Sequence, residues 1–423
     1  MSSREPRMRE SPSSSQTVPP AVAPIAALLA AAPHRPLFLA GALAVLTSMA
    51  WWALELASMR FGWHRWPQPP VPPGWAHAML TQYGMLPMFM FGFLLTTFPK
   101  WLARPSIPPR RYVVVAGSVF AGYLLSHVGL LDMRWVLRAG IALMLFGYLV
   151  GVATLAGVLR ASGHRNQHAW SCLAGLGLGT LGLAAFLGFL FGAPAHCARF
   201  AIKLGTFGLL VPVYFTVAHR MVAFFSGNVV KGYVVRRPDW SLPLMWPLLL
   251  AHLALDLAHA QAWLWLVDAP LALLFGWHAI AWQPWKAMRP GILAVLHLAF
   301  AWLPIAFVLY AVQSLCLFAG HGPILGLAPL HVLTIGYFGS MLVAMVTRVT
   351  QGHSGRPLQM GAVPWACFAL LQGVVLLRVW AELARDSYLW LIVAACGWLV
   401  AFLPWVIRSA WIYLTPRVDG KPG

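Results

Sequence analysis

The chain has 423 residues, of which 60% are hydrophobic and only 9% charged, yet 29 Lys and Arg against 10 Asp and Glu give it a formal charge of +19. Soluble domains carry about 25% charged residues, so this composition excludes an ordinary soluble fold. It also excludes a nucleic-acid partner, because phosphate binding needs Lys and Arg clustered on one face, whereas here they come in small groups between apolar blocks.

At about 20 residues per membrane-spanning helix, the chain holds roughly a dozen spans and leaves little for a soluble domain. Residues 1–32 read as a disordered or loosely structured tail. Positions 1–20, MSSREPRMRESPSSSQTVPP, are polar and rich in Pro and Ser, and the apolar stretch 21–32 lacks a convincing signal-peptide cleavage site. Apolar blocks bounded by charge, Gly and Pro then predict spans near 37–57, 80–99, 112–130, 136–158, 170–192, 200–219, 242–260, 262–282, 291–312, 329–347, 362–381 and 388–411. Only Gln261 and Ala262 separate the seventh from the eighth. A membrane domain of 33–412 is followed by a short tail, 413–423. No internal repeat is evident. The expected fold is all-α: a polytopic membrane helical bundle of about 12 transmembrane helices, with the lipid bilayer as its solvent.

Cations between spans set the orientation. One side collects 21 of them: Arg4, Arg7, Arg9, Arg35, Lys100, Arg104, Arg110, Arg111, Arg160, Arg165, Arg220, Lys231, Arg236, Arg237, Lys286, Arg289, Arg348, Arg356, Arg408, Arg417 and Lys421. The other side has 8: Arg60, Arg65, Arg134, Arg138, Arg199, Lys203, Arg378 and Arg385. Both termini are therefore expected to be cytoplasmic.

Ionisable residues inside a membrane are costly and mark function, which draws attention to the histidines. His34, His64, His164 and His168 fall in the tail or loops and read as solvated. His77 opens the second span, which also bears Met79, Met85, Met88 and Met90. Three turns of helix put Met88 nearly beneath His77. Imidazole with thioether suits copper, and either can be a haem axial ligand, although methionine also simply fills cores. In the seventh span His252, Asp256 and His259 share one helical face, which suits a proton relay, an orienting shell around a metal-bound His, or a polar lock between helices. His331 begins the tenth span at the same side as His77 and His259, so three helices present imidazole at one depth. Toward the other side lie His219, His278, His297 and His353, with Arg220, Arg348 and Arg356. That mixture suits haem propionates, an anionic substrate or anionic lipid headgroups.

The five cysteines (Cys172, Cys197, Cys316, Cys367 and Cys396) form no C-x-x-C pair, so neither a zinc site nor a disulfide framework is suggested. There is no P-loop, G-x-S-x-G, H-E-x-x-H or Rossmann run. Without C-x-x-C-H, covalent c-type haem is excluded, but not b-type haem held by His.

Four segments carry a resemblance: PHRPLFL at 33–39, HAMLTQYGMLPMFMFGFLLTTFPKW at 77–101, HRMVAFFSGN at 219–228, and HVLTIGYFGSMLVAMVTRVTQGHSGRPL at 331–358. WQPWKAMRPGILAVLHLAFAW at 282–302 adds to it. The chain resembles the NnrS family of bacterial inner-membrane haem- and copper-containing proteins, linked to nitric oxide, nitrosative stress and denitrification. The resemblance implies roles for His77, His219, His297, His331 and His353, with Arg220 and Arg348 beside them. The chain departs from the family's His-x-His-Glu motif, because Met79 and Leu80 stand where its second His and Glu would be. A metal site built on that pair is incomplete here.

The leading expectation is an inner-membrane protein that binds haem b, with copper as a second candidate, and protects against nitric oxide. His77, His331, His259 and Met88 are the candidate metal ligands, and His297 and His219 form an alternative inner set near Arg220, Arg348 and His353. A competing reading is a proton-coupled transporter of a small solute or metal using His252, Asp256 and His259. A third is a haem-binding sensor or scaffold. The sequence names neither a reaction nor an electron donor.

Overall fold

Apolar runs of 17 to 35 residues, each ended by Pro, Gly or charge, fold as helices because their backbone groups have no water to bond within a bilayer. The computed structural model describes residues 24–63, 66–163 and 165–420. We number the twelve main helices α1 (His34–Phe61), α2 (Pro73–Trp101), α3 (Pro109–Gly129), α4 (Arg134–Ser162), α5 (Gln167–Leu190), α6 (Ala195–Val229), α7 (Ser241–Leu257), α8 (Trp265–Ala281), α9 (Gly291–Phe318), α10 (Ala328–Ser354), α11 (Ala362–Leu383) and α12 (Ser387–Tyr413). Eleven are long and apolar enough to cross a membrane, and α7 is a shorter apolar helix interrupted by Pro247. No strand occurs among the described residues. The protein is a polytopic helical bundle, with a helix at each expected span and eleven of them long and apolar enough to cross a membrane.

The boundaries differ in ways that matter. Helices α1 and α5 begin at His34 and Gln167, about a turn earlier than expected, so His34 and His168 are buried in first turns rather than solvated. His64, His164 and residues 1–23 of the expected tail lie outside the described residues. The end of that tail is helical over Ile25–Leu29, and Tyr112 Oη donates to Ala30 O. Arg35 donates to Tyr413 O and Thr415 O, which fastens the start of α1 to the end of α12. That side of the bundle is here called terminal, and the opposite side distal. Between α7 and α8 the chain makes a wider turn than expected, with a 3-10 segment at Gln261–Trp263.

An internal repeat that is silent in the sequence is plain in the backbone. Helices α2, α6 and α10 each contain a π-helical segment, at Leu80–Met85, Gly205–Leu210 and Val332–Gly339. These segments start 125 and 127 positions apart, always in the second helix of a group of four. The three helices are also central: 89%, 72% and 83% of their most apolar stretches are buried, against 39–61% for the other long helices. The groups α1–α4, α5–α8 and α9–α12 join through direct packing of α4 on α5, α8 on α9, and α12 on α1, closing a ring.

Polar groups fasten this core where hydrocarbon offers them no other partner. Tyr148 Oη donates to Tyr83 O at 2.6 Å, Tyr83 Oη donates to Ala201 O, and Trp398 Nε1 donates to Val45 O at 3.1 Å across the α12–α1 seam.

Candidate functional site

In the distal half, α1, α2, α6, α10, α11 and α12 surround a cavity of about 110 Å³. On α2 its lining residues are His77, Ala78, Thr81, Gln82, Met85 and Leu86. They recur in steps of four. At 3.6 residues per turn each such step overshoots by about 40°, and the wider π turn at Leu80–Met85 takes up that overshoot. The same device on α10 aligns Leu330, His331, Thr334 and Ile335.

His77 and His331 thus face one cavity from two central helices. His77 stacks on Trp52 with ring centroids 4.5 Å apart and planes 18° apart, and its Nδ1 is buried without a partner. His331 Nδ1 lies 2.9 Å from Leu327 O. An imidazole can only donate to a carbonyl, so this bond fixes the proton on Nδ1 and leaves Nε2 as the electron-pair donor. Arg378 of α11 brings a guanidinium to the same cavity, held by Glu382 Oε1 at 2.6 Å.

The other expected site residues lie elsewhere. Met88 is buried in the core away from this cavity, whose thioethers come from Met49 and Met85. His259 sits beyond the end of α7, exposed, in a turn with φ 58°. It therefore leaves the helical face expected to hold it with His252 and Asp256, and the four candidate metal ligands do not converge. Among the described residues no three His, Cys, Asp or Glu side chains form a metal-binding group.

His252 and Asp256 separate as well. His252 Nδ1 lies 2.6 Å from Asp268 Oδ1 of α8, and Asp256 Oδ2 lies 2.7 Å from Lys203 Nζ of α6. The inner set also divides. His219 Nδ1 lies 3.0 Å from His168 Nε2, and its ring meets His278 edge-on at 5.1 Å. His297 Nε2 bonds Ser226 Oγ at 3.0 Å. Arg348 lies over Phe225 at 4.0 Å and Arg220 over Trp101 at 4.6 Å. His353 packs on His34 at 4.5 Å. A separate apolar cavity of about 60 Å³ runs among α1, α2, α6 and α10, lined by residues such as Phe89, Met90 and Met341.

The helical body from residue 28 to residue 417 matches the family described as NnrS protein. The chain belongs to the NnrS family. No match is found among curated proteins. Of the three histidines expected at one depth in this NnrS chain, His77 and His331 line one cavity and His259 does not, and Asp268, Arg378 and His168 were not foreseen as partners. Asp268 had a usable signal, since it is a carboxylate inside a span. Arg378 had been sorted with the loop cations, and His168 with the loops.

Proposed function

We propose that this NnrS-family chain is a membrane haem protein, holding b-type haem between His77 and His331, and that it acts in protection against nitric oxide. The observation carrying this reading is the pair of imidazoles on α2 and α10 that line one cavity, one with its Nε2 left as a donor pair and the other with an unpartnered buried nitrogen. The residues present fit the group. Metal-binding imidazoles are normally steadied through their second nitrogen, as Leu327 O does for His331, while Trp52 holds the plane of His77. The walls are mostly apolar, and Arg378 supplies a cation suited to a propionate carboxylate.

A haem bound there would supply a one-electron redox centre. Of the four expected metal ligands, His259 and Met88 lie away from the cavity that His77 and His331 share.

Purified wild-type protein should show a Soret band and reduced-minus-oxidised bands of a b-type haem. His77→Ala and His331→Ala should each abolish or reshape them, and cells carrying either variant should lose protection against a nitric oxide donor. A wild-type preparation made with adequate haem supply that shows no Soret band would defeat this reading.

A further inference from the structure

A second distal cavity, of about 340 Å³, lies among α6, α7, α9 and α10. Moving the four helices α10, α11, α1 and α2 of the histidine cavity to their counterparts one four-helix group earlier in the ring gives α6, α7, α9 and α10, while α8, the counterpart of α12, stays outside the second lining. The second cavity is thus the repeat's counterpart of the first. Its chemistry differs. One to three residues before the π segment, where α2 has His77 and α10 has His331, α6 has Lys203. Lys203 is paired with Asp256, and its side chain remains 43% exposed. Deeper in the lining is His252, bonded to Asp268 and flanked by Tyr310.

Three buried polar atoms have no protein partner: Nε2 of His252 in the lining, Oδ2 of its partner Asp268, and Gln82 Oε1. Buried groups of this kind are nearly always satisfied, by ordered water where protein does not serve. Gln82 marks the boundary between the cavities. It lines the histidine cavity, and its Nε2 donates at 2.9 Å to Thr206 Oγ1, which lines the second. Leu330 lines both. One leucine and one side-chain hydrogen bond therefore stand between them.

We propose that the second cavity is a water-filled antechamber that carries protons between the distal surface and the His77–His331 cavity, with the His252–Asp268 pair as its proton-holding group. In the step itself, a hydronium in the antechamber gives one proton to His252 Nε2 and becomes water. The imidazolium is held by its Nδ1–H donating to Asp268 Oδ1, and return of the proton to water restores neutral imidazole. No electron moves. The charged and titratable groups around the pair are Lys203 on α6, Asp256 on α7 and Tyr310 on α9. The Arg378–Glu382 pair closes the far side, where Gly326 of the lining abuts the Glu382 carboxylate.

The assignment of haem to the first cavity rests on the preceding section, so the test has arms that do not need haem. In full-length protein freed of its five cysteines and placed in liposomes, single cysteines at Lys203, Thr206, Leu330 and Met341 are exposed to a small charged methanethiosulfonate. Reaction at Lys203→Cys, Thr206→Cys and Leu330→Cys, with none at Met341→Cys in the apolar cavity, is expected. Reaction at Lys203→Cys with none at Leu330→Cys or Thr206→Cys would overturn the antechamber. For the proton-holding pair, infrared difference spectra across a pH titration should show imidazole and carboxylate bands that change together, and Asp268→Asn should lose both. Unchanged imidazole bands in Asp268→Asn would overturn the pair's role, and His252→Gln provides the same reading if Asp268→Asn fails to fold. If wild-type protein holds no haem, the previous section's reading falls while these arms still decide this one.

Discussion

His331 Nδ1 is committed to Leu327 O, whereas His219 Nδ1 is committed to His168, and the two bonds make opposite predictions. In His168→Ala the ring of His219 is left with two unpartnered nitrogens, since its Nε2 already lacks one. Stranding a buried polar group costs about 1–3 kcal/mol, so His168→Ala should unfold earlier in a detergent melt while retaining its Soret band. Loss of the band with unchanged stability would move the cofactor to the inner cluster. Histidines were easy to find in the sequence, but their partners were not. The carboxylate of Asp268 meets His252 only because α7 and α8 pack side by side, and Arg378 turns into a cavity that no spacing rule reveals.

Where two helices meet, small residues set the distance. Gly122 on α3 and Gly140 on α4 lie back to back: a Cβ on Gly140 would stand 2.7 Å from Gly122 O, and one on Gly122 would stand 2.6 Å from Gly140 O. Backbone cannot yield as a flexible side chain does. Gly140→Ala should therefore cost about 1–3 kcal/mol through overpacking, read as a lowered melting temperature. At the distal edge α1 is strapped to the start of α12, with Arg60 Nη2 2.8 Å from Asp386 Oδ2. The Arg60 hydrogen bonds hold the Asp386 carboxyl below its usual range. A depressed folded-state value means that the strap contributes fully above the unfolded carboxyl value of about 3.9 and fades as pH falls through the folded value. With side chains 42% and 39% exposed the effect is small. Asp386→Asn should melt slightly below wild type at neutral pH, and the difference should vanish in acid. Helix number and order were legible because hydropathy reports them directly. The π segments were not, because one widened turn leaves hydropathy unchanged while it decides which residues line a cavity.

For the molecule as a whole, the cation count predicts that both ends face the cytoplasm. A fluorescent protein fused after Gly423 should glow, and alkaline phosphatase at the same place should stay inactive; the reverse pattern would invert the orientation. Not all those cations are free to act as topological labels. Arg35 is spent on Tyr413 and Thr415, and Arg348 is buried against Phe225. The repeat stayed hidden because its three units share backbone form while their lining chemistry diverged, with imidazole shortly before two of the π segments and Lys203 before the third. The seam between α12 and α1 is of the same kind as those between α4 and α5 and between α8 and α9. The point at which the gene starts is then only one of three equivalent cuts in a circle of helices. A circular permutant that links the present ends and opens between α4 and α5 should assemble the same bundle, with the same histidine cavity, from a chain read in a different order.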